Sequence, residues 1–197
     1  MIFKIISKRF IYIMLINIAM TLNLKSLIIN KTTPVIYTHL SSNKFNFEHV
    51  YPKCYLNKKD RNDMHNIFKS DIYINNVRSN YKYIDHNDKE FKKYNYSFEQ
   101  LYKSDNYVSS KLALFVPDDN SKGLIARAIM YMNYNHYYDY KKVIDIDNLL
   151  NWYFKYPPTK FEYAHNNLVA QAQKNRNVFI DMCGHKKYDK LVLKIFN

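Results

Sequence analysis

The sequence is poor in glycine, cysteine and carboxylates. Two glycines and five prolines among 197 residues leave no long flexible linker. No internal repeat stands out, so the chain reads as one domain. Its two cysteines, Cys54 and Cys183, cannot make a disulfide framework, and they lack the spacing of a zinc site. One bridge between them and two unpaired thiols both fit. Asp and Glu number 17 against 30 Lys and Arg, a net charge of +13. That excess suits polyanionic partners: nucleic acid, an anionic membrane or an acidic glycan. Charge sign does not choose among them. What the chain has in quantity is apolar residue, 47%, which argues against disorder and suffices for a core at this length.

Residues 1–24 admit two readings. Lys4, Lys8 and Arg9 precede the apolar run 10–20, FIYIMLINIAM, as in a secretory signal peptide. The run is short for a membrane span and contains Asn17. No Ala-x-Ala site follows it. The alternative is an N-terminal helix packed on the core. Location outside the cytoplasm depends on the first of these. No stable membrane partner is expected, although a tether at 10–20 remains a third reading. Residues 25–185 form the expected domain and 186–197 a C-terminal tail.

Along the domain, Val35–Thr38 and Phe45–Tyr51 are β-prone, and Pro52 ends the second run. A lysine-rich loop follows. In 63–80, Met64, Ile67 and Phe68 have helical spacing, as do Asp71, Asn75 and Arg78. The spacing predicts a helix there, or two short helical turns. Residues 86–111 are polar and Tyr-rich, an irregular stretch. The run LALFVP ends at Pro117. From Asn120 the pattern turns helical, with Leu124, Ile125, Ala128, Ile129 and Met132 on one stripe. Ile146–Phe154 is a further helix. Thr159-x-x-Glu162 is a capping box opening another, whose apolar stripe is Phe161, Ala164, Leu168, Val169 and Ala172. The fold class is α+β, with a helical C-terminal half. Arg127 reads as a packed or ion-paired helix arginine, and Trp152 as core. His136, His165 and His185 read as surface residues, and Asp145 and Asp147 as a helix start.

The stretch NFEHVYPK, 46–53, sets Glu48 beside His49 on a short strand. An imidazole largely neutral at pH 7 can take a proton from water. Phosphodiester cleavage needs such a base, and a cation to offset charge on phosphate. Mg²⁺ takes oxygen ligands and keeps several waters. Glu48 and Asn75 would make a sparse protein shell for it, and Arg78 lies one helical turn beyond Asn75. An adjacent Glu-His pair alone is more often decoration than chemistry.

The order of fragments adds to this. IYT, NFEHVYPK, DMHNIFKSD, NNVRSNY, GLIARAIMYM and QKNRNVFID occur in series between about Val35 and Asp181. In that order the chain resembles the endonuclease I family of periplasmic and secreted, sugar-nonspecific nucleases, which carry a ββα-metal core. The resemblance implies that His49 is the general base, and that Glu48 and Asn75 hold one Mg²⁺, with Mn²⁺ or Ca²⁺ as structural substitutes. It also implies that His65 supports the site, and that Arg78 and Asn80 order it or hold phosphate. The implied substrate is DNA, with RNA beside it, bound by a monomer through the phosphate backbone and cut to leave 5′-phosphate ends.

Three departures stand out. The loop between Pro52 and Asp63 is short, and its only arginine is Arg61. Arg61 is therefore the candidate phosphate ligand, with Lys53, Lys58 and Lys59 as alternatives. The acidic residue that some members carry before the DMHN segment is missing. Lys174 and Val178 stand where the family has Gly and Pro. A basic nucleic-acid-binding protein with a decayed site is the alternative reading, but a decaying site has no reason to keep the base and both ligands. Glu48→Ala is expected to weaken metal binding and leave the fold intact.

Overall fold

The computed structural model describes residues 35–37 and 44–196, so the run at 10–20 lies outside the described residues. Strand β1 (Phe45–His49) pairs antiparallel with β2 (Ile67–Asp71), His49 facing Ile67 and Glu48 facing Phe68. Ile36 bridges Ser70 beside them, and this single bridge is the only strand pairing of the described part of the Val35–Thr38 run. Helix α1 (Ile72–Arg78) leaves β2 without a loop. Asp71 makes that change of direction. Its Oδ1 accepts from the amides of Tyr73 and Ile74, at 2.8 and 3.3 Å, as an N-cap does.

The helical spacing predicted over 63–80 therefore holds from Asp71 onward and fails before it. Met64–Asn66 is a 3₁₀ turn, and Ile67–Asp71 is the second hairpin strand. A short apolar run cannot distinguish strand from helix by periodicity alone. Here pairing with β1 decides.

A second sheet runs in the order β3 (Lys82–Tyr83), β6 (Leu114–Val116), β5 (Tyr107–Ser109), β4 (Glu99–Gln100). The stretch 86–111 is thus more ordered than its composition suggests, since it also holds α2 (Lys89–Lys93). Helix α3 (Asp119–His136) runs through the core, buried on every side from Ser121 to Met132. The expected stripe is part of this surface. Such a helix must satisfy its polar groups internally. Lys122 pairs with Asp85 and Asp119, at 2.9 and 2.6 Å. Arg127 makes a two-pronged pair with Glu162, at 2.6 and 2.8 Å. Gly123 has no room for a side chain, because a Cβ there would lie 2.3 Å from the Tyr156 carbonyl oxygen.

Helix α4 (Ile146–Lys155) packs Trp152 and Leu149 on α3. Helix α5 (Lys160–Gln173) begins with the predicted capping box. Its buried residues are Glu162, His165, Asn166 and Val169; of the expected stripe, Val169 is buried and Phe161 and Ala172 pack at its edge. Partners explain the buried polar residues. Glu162 meets Arg127, His165 Nε2–H meets the Met64 carbonyl at 2.8 Å, and Asn166 bonds to Asn177. His165 is therefore a buried residue, not a surface one, and His136 is half-buried against Asp63. His185 is exposed as expected.

Lys174 ends α5 at φ 62°. This is the left-handed position that glycine usually fills. After α6 (Val178–Asp181), residues 186–196 form a helix, α7 (Lys186–Phe196), in place of the expected tail. Val192 and Phe196 of α7 belong to the core. Both cysteines are free thiols. Among the described residues no helix is long and apolar enough to cross a membrane.

Burial pushes the His165 imidazole down to about 4, below the ordinary 6.5 of the unfolded chain. Between those values the unfolded state binds more protons. Stability is then lost as pH falls from about 6.5 to about 4, by about 3 kcal/mol in total. Urea unfolding at pH 7 and at pH 4.5 should show this drop in the wild type and a smaller one in His165→Gln. Equal drops in both would contradict it.

Candidate active site

The hairpin and α1 bring Glu48, His49 and Asn75 to one open groove of about 480 Å³, lined also by Lys53, Cys54 and Asn80. Each side chain is held from behind. Glu48 is 2% exposed. Its Oε1 accepts the Tyr37 hydroxyl at 2.7 Å and lies 3.4 Å from Arg78 Nε. Burial pushes the Glu48 carboxyl up, while Arg78 and Tyr37 pull it back. Burial also raises the Tyr37 and Tyr83 hydroxyls, so both stay protonated. These two hydroxyls lie 2.9 Å apart.

His49 Nε2 lies 2.9 Å from the Arg61 carbonyl oxygen. A carbonyl only accepts, so Nε2 carries the proton and the lone pair of the neutral ring sits on Nδ1. The amide nitrogen of Asn75 donates to Asn46 Oδ1 at 2.7 Å and to the Phe47 carbonyl at 3.3 Å. Its oxygen is the atom left to bind a cation.

Arg78 lines the groove and takes the ordering place of the two that the resemblance offered it, whereas the Arg61 side chain stands off the groove. Arg78 is 1% exposed. It donates to the carbonyls of Ser79 and Val50, at 2.8 and 2.9 Å, and lies against the Tyr83 ring. A guanidinium so committed cannot grip a phosphate, and its work is to hold Glu48. The Arg61 side chain donates to the Leu56 carbonyl at 3.3 Å and does not line the groove. Arg61 reaches the site through its backbone oxygen. Lys53 is the loop cation on the groove wall. Asn80 donates to the Tyr55 hydroxyl at 3.2 Å and orders that wall.

His65 is buried, its Nε2 3.3 Å from the Asn175 carbonyl. Three contributors escaped the sequence reading. Tyr37 holds Glu48, and Asn46 holds Asn75. Asn66 closes the loop, accepting from the Tyr51 amide at 2.7 Å and donating to the Tyr51 carbonyl at 3.0 Å. Asn46 alone carried a readable signal, since it stands two residues before Glu48 on the same strand face.

The donor set suits a hard cation: one carboxylate, one amide oxygen and open space for water. Among the described residues no group of three or more His, Cys, Asp or Glu could hold a metal, so a protein shell here would be sparse.

A hairpin presenting a carboxylate and an imidazole, met by an amide from the helix that follows, has the ββα arrangement of a hydrolytic nuclease. The chain belongs to the endonuclease I family, whose description, Endonuclease I, matches residues 22–183. No curated protein matches the chain.

Proposed function

We propose that this nuclease is a divalent-metal-dependent endonuclease. It cuts DNA, and RNA beside it, without strong sequence preference, as a monomer, leaving a 5′-phosphate and a 3′-hydroxyl. The observation that carries this reading is the meeting of Glu48, His49 and Asn75 on one groove, with the imidazole's tautomer set by a backbone carbonyl. Mg²⁺ held by Glu48 and Asn75 would supply charge neutralisation at the scissile phosphate and the leaving oxygen.

The protein's own groups do the rest. His49 Nδ1 takes a proton from the attacking water. Its Nε2–H stays on the Arg61 carbonyl, so the imidazolium keeps its orientation. Arg78 and Tyr37 keep Glu48 in place. Lys53 supplies a point charge to the phosphate backbone. Contacts of that kind give salt-sensitive, sequence-independent binding.

Relaxation of supercoiled plasmid with Mg²⁺, stopped by EDTA, is the expected result. Binding without nicking across a range of divalent metals would sink the proposal and favour the nucleic-acid-binding alternative. Lys53→Ala should raise KM with kcat unchanged, and lower the slope of log affinity against log salt by about 1. An unaltered slope would remove Lys53 from the phosphate contact.

A further inference from the structure

The loop between the hairpin strands is gripped at a point outside the groove. His136, the last residue of α3, faces two carboxylates of that loop. Its Nε2 lies 2.8 Å from Asp63 Oδ2, and its Nδ1 lies 3.4 Å from Asp60 Oδ1. Arg61 sits between these aspartates, and its carbonyl accepts the His49 Nε2–H bond. One imidazole thus holds the chain on both sides of the peptide that orients the base.

Charge state decides how many of the two contacts hold. A neutral imidazole has one N–H, so it donates to one carboxylate and turns a lone pair toward the other. The imidazolium donates to Asp63 and turns a positive N–H toward Asp60, completing an ion pair on that side. The surroundings favour the charged form. Asp60 and Asp63 are buried, at 7% and 9% exposure. The Tyr138 hydroxyl donates to Asp60 Oδ2 at 2.7 Å, and the Tyr131 hydroxyl to Asp63 Oδ2 at 2.9 Å. On its other oxygen Asp63 accepts from the His65 amide and from Gln173. Lys59 is the cation that opposes protonation. The hydrogen bond to Asp63 nevertheless holds the His136 pKa above the ordinary histidine range.

We propose that His136 is a positioning residue for the nuclease reaction: as an imidazolium it clamps Asp60 and Asp63 together, and so fixes the Arg61 carbonyl that orients His49. The inference rests on the reading of His49 as general base. Because the folded pKa of His136 is raised, the clamp is complete at lower pH. It opens on the Asp60 side as pH rises through that value. The rate then has an alkaline limb that belongs to His136.

Plasmid nicking by the full chain, followed from about pH 6 to about pH 9, tests this. Wild-type kcat should fall about tenfold along the limb with KM unchanged. His136→Gln should sit on the lower plateau with no limb. Asp60→Asn removes the carboxylate on the side that opens, and should likewise sit on the lower plateau with no limb. A limb unchanged in both variants overturns the proposal.

Nitrogen NMR of histidine-labelled chain gives a readout independent of catalysis. His49 should be a single Nε2–H tautomer in the wild type and a mixture in His136→Gln. A single tautomer in folded His136→Gln also overturns the proposal. Asp60→Asn carries the same comparison should His136→Gln lose the fold. If no chain nicks DNA, the general-base reading fails, and the tautomer comparison still decides the clamp.

Discussion

His49→Ala should lower the rate of plasmid nicking by about 10²- to 10⁴-fold while KM and the unfolding temperature stay near wild type. The size follows from what a positioned base contributes to a reaction that must deprotonate water. The split between kcat and KM follows from the groove. The groups proposed to meet the phosphate backbone, Lys53 among them, line the groove independently of the imidazole. The stability expectation follows from position. His49 is the last residue of β1 and only partly buried, so truncation removes no core packing. The check is single-turnover nicking at saturating Mg²⁺ beside a thermal melt. Wild-type nicking by the folded variant would end the assignment of His49 as base. A loss of rate matched by a loss of fold would mean that the ring is structural.

Two features of the site set how far the sequence could lead to it. The side-chain pattern was legible: Glu48 and His49 adjacent on a strand, and Asn75 at helical spacing from Asp71 and Arg78. The capping box at Thr159 and the paired Arg127 were legible for the same reason, since each is a local pattern or a charge that burial obliges to pair. What stayed hidden works through the backbone or through distant pairing. Arg61 drew attention for its guanidinium, yet its carbonyl orients His49, and no side-chain motif reports a carbonyl. The apolar residues of strand β2, Ile67 and Phe68, share helical spacing with Met64, so its period did not announce a strand, and pairing with β1 decides it. His165 and Asn166 looked like the polar face of α5. They became the buried face because Met64 and Asn177 offer them partners. Glycine scarcity had a consequence too. Lys174 takes the left-handed φ that ends α5, a position where glycine would be free of strain.

Glu48→Ala is the substitution for which the structure changes the expectation most. From the sequence it is a ligand deletion that spares the fold. In the structure, Glu48 is the counter-charge of a buried Arg78 and the acceptor of a buried Tyr37 hydroxyl. Deleting it strands a guanidinium in a low-dielectric interior. Removing one partner of a buried pair costs about 3–5 kcal/mol, which for a chain of this size is a fall in melting temperature on the order of 10 °C. The variant should therefore lose both stability and affinity for Mg²⁺ or Mn²⁺, read by thermal melting and by calorimetric titration. The double variant Glu48→Ala, Arg78→Met separates the two losses. With no charge left unpaired, it should recover much of the melting temperature and none of the metal affinity. A Glu48→Ala protein that melts with the wild type would show that Arg78 does not depend on Glu48. Wild-type metal affinity in either variant would remove Glu48 from the ligand set. The two roles are linked physically: the pair that stabilises the hairpin also keeps the carboxylate fixed against the groove.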